Sequence, residues 1–480
     1  MLEKNTLITA VTDALGSNGE GIVRHEGITF FVPNCLPGEK VVFRVVKLKD
    51  KIGYGKVEEI LTPAEERVRV KCPVFSRCGG CCLQHLEYSA QLDFKTGLVR
   101  DCLRKIGGLT CEVKPTVKSD MPYSYRNKLQ LPVGVDRDGN TVIGFYAERS
   151  HRIVPIASCA IHPEWAETLI AIIKRYCEEC RVKGYDEERK SGILRHVVAR
   201  EIGGKLMITL VCAKLALPAL ERLQELLSEA FSVYTLYLNL NDKDTNVILG
   251  EQFQLVHGSP IYEDEEQGIR YEAGPQTFLQ VNENVRGKLY NAALKTVIDT
   301  GDEVVVDAYS GGGLLTAMLA KKAKRVYGIE LEPEAVACAD SLKAKNGLTN
   351  MQNICGYVEE KLAGVLEKEK GETVRLILDP PRAGIHRSVA KALLASGIEK
   401  LTIISCNPST LARDLGILTG KLIEKEGSNG ELIKNPAYEG KPDCEVLPEY
   451  YEPMLIQPYD MFPQTKHVET LVCLTRKEHS

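Results

Sequence analysis

The chain has 480 residues, of which 44% are apolar and 26% are charged, so its composition excludes a disordered or fibrous protein. A net charge of −4 and a pI of about 6.2 exclude a uniformly basic nucleic-acid binder, but not a local basic strip. No apolar run approaches the roughly 20 residues of a membrane helix, and the first residues lack the apolar core of a secretion signal. We therefore expect a cytoplasmic protein with no membrane partner, and the length predicts two to four domains.

Residues 1–62 alternate short β-like runs with glycine and proline turns, a pattern typical of a small β-barrel. Residues 40–56 carry six lysines and arginines against one acid, Asp50, so this segment has a local charge of +5 (6 − 1). Such a strip is suited to binding a phosphate backbone. The alternative is a strand edge that its lysines protect from pairing with other strands.

A cysteine cluster follows at residues 72–82. Disulfides are rare in the cytoplasm, so clustered thiols there suggest a metal site or catalysis. The spacing Cys72-x5-Cys78-x2-Cys81 supplies three thiolates from one loop, and two glycines let that loop bend around an inorganic core. Three thiolates and a distant fourth favour a 4Fe–4S cluster over zinc, which usually shows two close pairs, although zinc remains an alternative. We assign no role to Cys82.

The rest of the chain divides into two parts. Residues 111–270 alternate strand and helix patterns, with helices predicted at 163–182 and 217–230. From about residue 271, apolar strands alternate regularly with helices, which predicts a doubly wound, mainly parallel sheet. Residues 426–452 interrupt this pattern with seven acids, two lysines and several prolines and glycines, which predicts a surface insertion.

A glycine turn in the last part predicts a nucleoside-binding site. Asp307 ends an apolar strand, Gly311, Gly312 and Gly313 follow, and Glu330 ends the next strand. Side-chain-free residues let a ligand approach the backbone, and a carboxylate at the position of Glu330 can accept both ribose hydroxyls. The glycines do not form a complete G-x-G-x-x-G dinucleotide fingerprint, so the pattern favours S-adenosylmethionine over NAD.

Three later motifs suggest the chemistry. A rigid D-P-P-R segment begins at Asp379, Cys406 ends the next strand in S-C-N-P-S-T-L-A-R-D, and Glu469 lies in D-M-F-P-Q-T-K-H-V-E-T. Arg413, near in sequence, is a candidate for lowering the thiol pKa. A thiolate that adds to carbon 6 of uracil makes carbon 5 nucleophilic towards a methyl donor, and a base must then remove the carbon 5 proton.

These motifs, together with Q-T-F-L-Q-V-N at 276–282, resemble the RNA uracil-5-methyltransferase family over nearly the whole chain. The resemblance implies Cys406 as nucleophile and Glu469 as base. It also implies an adenosylmethionine site, formed by Gln280, Tyr309, Glu330 and Asp379. Some members carry a 4Fe–4S cluster, whose fourth ligand would be Cys159. This chain departs from the family at Leu314 and Leu315, where an aromatic and a polar residue are frequent, so contacts from that turn are open.

The predicted architecture is α/β with three modules. Residues 1–62 resemble a TRAM RNA-binding barrel of OB-like type, residues 63–270 form a central domain with the cluster, and residues 271–480 form a Rossmann-like methyltransferase domain. The expected function is methylation of carbon 5 of a uridine in RNA, with 23S ribosomal RNA favoured by analogy. Transfer RNA is the alternative substrate, and a non-catalytic iron–sulfur RNA-binding protein is the alternative from another class. No obligate protein partner is indicated.

Overall fold

The computed structural model describes residues 2–425, 428, 430–442 and 444–476. The described chain begins with a six-stranded sheet in the order β1-β5-β6-β4-β3-β2, in which β4 and β6 run parallel. Its strands are β1 (Leu7–Val11), β2 (Ala14–Leu15), β3 (Gly21–His25), β4 (Ile28–Val32), β5 (Lys40–Lys49) and β6 (Ile52–Thr62). Alternation along β5 buries Phe43 against Phe30, with ring centroids 5.2 Å apart, and leaves Lys47 and Lys49 exposed. The basic strip therefore lies on the outer face of this sheet.

The middle of the chain forms a seven-stranded sheet in the order β13-β12-β11-β10-β7-β8-β9. Helix α1 (Tyr88–Cys102) and a π-helical turn (Leu103–Gly107) precede it. The later elements are β7 (Lys128–Val135), β8 (Thr141–Tyr146), β9 (Ile153–Pro155), α2 (Glu164–Glu179), β10 (Leu194–Ile202), β11 (Lys205–Cys212), α3 (Leu220–Ala230), β12 (Tyr234–Leu240) and β13 (Gln252–His257). Both helices predicted here are present; α2 is shorter than expected at both ends, whereas α3 begins later but ends at residue 230 as predicted. Their apolar stripes pack against the sheet.

A hairpin, β14 (Tyr262–Glu266) and β15 (Ile269–Ala273), leads into the C-terminal sheet, whose order is β18-β17-β16-β19-β20-β24-β23. The strands β16 to β20 are parallel, whereas β24 and β23 are antiparallel. The elements are α4 (Glu283–Val297), β16 (Val304–Ala308), α5 (Leu314–Ala320), β17 (Arg325–Glu330), α6 (Pro333–Lys345), β18 (Met351–Cys355), α7 (Val358–Lys368), β19 (Val374–Leu378), α8 (Arg387–Ala395), β20 (Lys400–Ser405), α9 (Pro408–Leu418), β21 (Leu422–Glu424), β22 (Leu432–Lys434), β23 (Tyr451–Tyr459) and β24 (Glu469–Arg476).

The strand order confirms the predicted doubly wound sheet and locates its crevice. The chain reverses its direction of progress between β16 and β19, and ligands bind at such switch points beyond the carboxyl ends of the strands. Helix α1 also belongs to this part of the core, because Val99 packs in the same apolar cluster as Leu411 and Val472. Helix α1, which precedes the middle sheet in the chain, therefore packs against the C-terminal sheet.

The acidic segment 426–452 is anchored where it is described. Strand β22 pairs with β21, and the Tyr438 hydroxyl donates a hydrogen bond of 2.8 Å to the carbonyl of Thr419. The last two residues of this segment belong to the C-terminal sheet and not to the insertion, because β23 begins at the fully buried Tyr451. Two of its seven acids, Glu426 and Asp443, lie outside the described residues. In the described part of the chain, no helix is long and apolar enough to cross a bilayer.

Candidate active site

A cavity of about 1720 Å³ extends from the switch point to the middle sheet. It is lined by every residue for which the sequence predicts a catalytic, cofactor-binding or metal-binding role, namely Cys406, Glu469, Gln280, Tyr309, Glu330, Asp379, Cys72, Cys78, Cys81 and Cys159. Fold topology explains part of this convergence, because four of these residues lie at the carboxyl ends of parallel strands, which share one edge of a sheet. The two predicted sites thus line one cavity.

The turn after β16 is open towards the cavity. Tyr309 adopts the left-handed conformation (φ 65°) and begins a turn in which a Cβ on Gly311 or Gly312 would meet no atom within 4 Å. Gly313 serves packing instead, because a Cβ there would lie 2.7 Å from that of Ala339. The turn therefore combines a close helix contact with backbone that a ligand can approach.

Glu330 is fixed at this turn by backbone amides. One carboxylate oxygen accepts the N–H of Gly311 at 2.9 Å, and the other accepts those of Leu331 and Glu332 at 2.7 and 3.0 Å. A carboxylate offers about four lone-pair sites, and three are used here, so about one remains for a hydroxyl group of a ligand. That this ligand is a ribose stays a prediction.

Two carboxyl groups flank the switch point, the buried Asp307 at the end of β16 and the half-buried Asp379 directly after β19. Burial raises the pKa of Asp307 to about 7, and that of Asp379 also to about 7. The Thr316 hydroxyl donates to Asp307 at 2.6 Å, which ties this carboxyl group to helix α5. Both carboxyl groups line the cavity, and Asp379 is the more exposed of the two.

Cys406 and Glu469 meet across paired strands. The register of β20 with β24 places Ser405 opposite Thr470, which brings the adjacent Cys406 and Glu469 together at the edge of the sheet. Glu469 is 3% exposed, and its pKa rises to about 8, first through burial and then through the charge of Asp379, while Arg382 opposes the shift. The carboxyl group of Glu469 is therefore largely protonated near neutrality in the ligand-free protein.

The pKa of the Cys406 thiol depends on two of the same charged groups, Glu469 and Arg382. Burial is the main cause that raises its pKa, the charge of Glu469 adds to this effect, and Arg382 lowers the pKa. The sequence suggested Arg413 as the activating cation, and this is wrong: Arg413 pairs with the neighbouring Asp414 and donates to the Ala383 carbonyl at 2.9 Å. Sequence proximity failed here because Arg413 lies on helix α9, whereas Arg382 lies on the adjoining D-P-P-R loop.

This D-P-P-R loop is hydrogen-bonded directly to the segment that follows Cys406. The side chains of Asn407 and Thr410 each donate a hydrogen bond of 3.2 Å to the Arg382 carbonyl. Asn407 also caps helix α9, because its carbonyl oxygen accepts the Ser409 N–H at 3.1 Å, and Pro408 occupies the first helical turn. The motif S-C-N-P thus presents the thiol at a helix N-terminus with a fixed orientation.

A row of cations lines the cavity. Arg126 precedes β7, Lys128 is its first residue, and Arg200 lies opposite Lys128 on β10. Burial first, and then the charges of Arg200 and Arg126, lower the pKa of Lys128 to about 8. No spacing in the sequence marks Arg200, since only the pairing of β10 with β7 sets it opposite Lys128.

The four thiols at the far end of the cavity are electrostatic neighbours. Burial raises the pKa of Cys159 to about 11, and the charges of Cys72 and Cys78 add to this effect. Burial likewise raises the pKa of Cys81, with further contributions from Cys159 and Cys78. The Gly80 N–H donates to the sulfur of Cys78 at 3.4 Å. No group of three or more His, Cys, Asp or Glu among the described residues is arranged to hold a metal ion.

Comparisons with known proteins identify the family. The profile described as tRNA (Uracil-5-)-methyltransferase matches residues 201–424, and that of the TRAM domain matches residues 5–57. A protein of Clostridium tetani named as an RNA methyltransferase is 37% identical over 478 residues, covering 99% of this chain and 97% of its own length. A Halalkalibacterium halodurans RNA methyltransferase is 36% identical over 480 residues, covering 99% and 98%. The chain belongs to the RNA uracil-5-methyltransferase family, with an N-terminal TRAM domain.

A solved structure agrees with this assignment along the whole chain. The Pyrococcus abyssi tRNA (uracil-54, C5)-methyltransferase, in complex with S-adenosyl-L-homocysteine, matches with a TM-score of 0.73 and 25% sequence identity. The match covers 97% of this chain and 99% of that one. The α/β fold predicted from the sequence is thereby confirmed.

The raised pKa of Glu469 predicts a pH-dependent stability. Its pKa lies above the ordinary value of 4.5, so the folded state favours the protonated carboxyl, and this stabilisation is lost as the pH rises through about 8. The side chain in Glu469→Gln stays neutral at every pH. We therefore expect the free energy of unfolding of this variant, relative to that of the unmodified protein, to rise by on the order of 1–3 kcal/mol between about pH 5 and pH 9. Urea unfolding of the two ligand-free proteins measures this difference. The exposed Glu229→Gln is the control, and an equal difference at all pH values would contradict the prediction.

Proposed function

We propose that the protein uses S-adenosylmethionine to methylate carbon 5 of a uridine in RNA through a covalent bond between Cys406 and the base. The observation that carries this proposal is the placement of Cys406 opposite Glu469 in one cavity, next to Asp379. A nucleophile and a base side by side are what addition and elimination at uracil require.

The open glycine turn and its surroundings fit the cofactor. Glu330 would hold the ribose, while Gln280, Tyr309 and Asp379 line the adjoining wall. Adenosylmethionine supplies an electrophilic methyl group on a positively charged sulfur. The half-buried carboxyl of Asp379 suits a cationic ligand, since a nearby positive charge favours the ionised form of an acid.

The residues of the chain account for the bond-making steps on the uracil ring. The thiolate of Cys406 adds to carbon 6, and the electrons of the ring's double bond make carbon 5 nucleophilic. After carbon 5 has received the methyl group, Glu469 takes its proton, the double bond re-forms, and the bond from sulfur to carbon 6 breaks. Arg382 favours the thiolate, because it is the nearby cation that lowers the pKa of the thiol.

RNA suits the remaining surfaces of the cavity and of the N-terminal sheet. The cation row and the exposed lysines of β5 offer phosphate contacts. Phe278 is 77% exposed at the cavity, where an aromatic ring can stack on an unpaired base. The target uridine would leave its stack to reach Cys406. Such a substrate places the activity in the cytoplasm.

We favour 23S ribosomal RNA as the substrate, by analogy with the family members that combine a TRAM domain with the cysteine motif. Transfer RNA is the second candidate, because the structural neighbour that covers this whole chain is, by its title, a tRNA (uracil-54, C5)-methyltransferase. Both substrates would use the same chemistry at Cys406.

We also propose that Cys72, Cys78, Cys81 and Cys159 hold a 4Fe–4S cluster. A cubane binds each thiolate through a different iron, so its ligands need not converge on one point as they would around zinc. The four thiols line one end of the cavity, and each shares a charge interaction with at least one other. The N–H···S bond from Gly80 to Cys78 is of the kind that tunes iron–sulfur sites.

Fluorinated RNA tests the covalent step. A 5-fluorouridine substrate has no proton for Glu469 to remove, so incubation with adenosylmethionine should give a denaturation-resistant adduct on a gel. Cys406→Ala should form none, whereas Cys111→Ala, a thiol outside the cavity lining, should react normally. With ordinary RNA, Glu469→Gln should lose roughly 10²–10⁴-fold in turnover and retain bound RNA. An adduct on Cys406→Ala would refute the assignment.

Mass mapping of 5-methyluridine distinguishes the two RNA substrates. In a strain that lacks the gene, we expect the modification to disappear from 23S ribosomal RNA and to return when the unmodified protein, but not Cys406→Ala, is supplied. Loss from transfer RNA with ribosomal RNA unchanged would establish the second candidate instead.

Metal analysis tests the cluster. Protein purified without oxygen should be brown and should absorb at roughly 400 nm, from sulfur-to-iron charge transfer. Cys81→Ser should lower the iron content, and Cys82→Ser, which changes the adjacent thiol, should not. Colourless protein with stoichiometric zinc would overturn the assignment.

A further inference from the structure

The turn that precedes the base is held by a helix more than 360 residues earlier in the chain. This base turn, residues 460–468, joins β23 to β24 and leads directly into Glu469. Two buried polar side chains of helix α1, Gln91 and Lys95, reach it. Neither residue lines the cavity, so neither would touch a substrate there.

Gln91 forms a reciprocal pair of hydrogen bonds with the base turn. Its side-chain nitrogen donates to the side-chain oxygen of Gln464 at 3.1 Å, and its oxygen accepts the backbone N–H of Gln464 at 3.1 Å. The same nitrogen lies 3.0 and 2.8 Å from the carbonyls of Leu83 and Leu86. Gln91 is 1% exposed, so these bonds are shielded from competition with water.

Lys95 holds the start of the same turn. Its side chain and that of Asp460 are both completely buried and form an ion pair. The Lys95 ammonium also donates a hydrogen bond of 3.0 Å to the Phe462 carbonyl. A buried cation with these two partners fixes the direction in which the chain leaves β23, because breaking the ion pair would leave a buried charge unpaired.

The conformation thus held is one that the turn would not adopt by itself. Gln464 has φ 70°, in the left-handed region that is unfavourable for residues other than glycine. Its carbonyl accepts the backbone N–H groups of Cys82 and Leu83 at 3.1 and 3.0 Å. Tyr125 donates to the Pro463 carbonyl at 3.1 Å. Bonds from helix α1 and the cysteine segment therefore determine the shape of the base turn.

We propose that Gln91 and Lys95 are positioning residues for proton removal by Glu469. The inference rests on the proposed function, and it concerns the elimination step specifically. Glu469 follows the base turn directly, whereas Cys406 is carried by β20 and by the loop bonded to Arg382. Loosening the base turn therefore displaces the base and leaves the nucleophile in place.

The test compares two reactions of the same variant. Gln91→Leu keeps the size of the side chain and removes its hydrogen bonds. We expect the rate of adduct formation with 5-fluorouridine RNA, which needs no proton removal, to stay within about twofold of the unmodified protein. Turnover on ordinary RNA should fall on the order of tenfold, as a drop in kcat with little change in KM, and methylated RNA should remain covalently bound. Lys95→Met should behave alike.

A matched variant controls for general destabilisation. Glu369→Gln disrupts the ion pair of the buried Glu369 with the partly exposed Arg325, at the opposite end of the C-terminal sheet, and it should leave the ratio of the two rates unchanged. A parallel fall of both rates in Gln91→Leu, or unchanged turnover, would overturn the positioning role. Failure of the unmodified protein to form any adduct would instead overturn the proposed function, so the two failures are distinguishable.

Discussion

The antiparallel return of β24 along β20 is the interaction on which the rest of the site depends. A purely parallel sheet would end at β20 and present a thiol with no partner beyond it. Because β24 runs back along that strand, its first residue, Glu469, comes to lie beside Cys406. Glu469 is also buried, since β23 covers the outer edge of β24.

Burial then sets the electrostatic character of the site. Asp379 and Glu469 share a low-dielectric region, and both have pKa values raised to within about a unit of neutrality. Arg382 counters part of this effect on Glu469 and on the thiol. A cationic ligand beside Asp379 would favour ionisation of this carboxyl. The cofactor can thus prepare the charge state of the site as well as deliver the methyl group.

Local motifs were sufficient to predict the residues at strand ends. Glu330 and Cys406 each follow an apolar strand, and parallel strands bring such positions together whatever the details of packing. Arg413 shows the limit, because closeness along the chain did not decide which arginine faces the thiol. Gln91 and Arg200 were not predicted to act at the site, since their significance comes from contacts between distant segments, which no spacing in the sequence reveals. The division into modules at residues 62 and 270 stays a prediction, although helix α1 packs on the C-terminal sheet.

The contact between Gln91 and Gln464 has a consequence for biosynthesis. The two residues are 373 positions apart, and a ribosome that adds roughly 5–20 residues per second needs roughly 20–75 s to cover that distance. During this interval, Lys95 has been made but Asp460 has not, so a charge destined for the interior has no partner. The nascent chain therefore carries Cys406 before it carries Glu469, and helix α1 completes its packing after β23 and β24 have emerged.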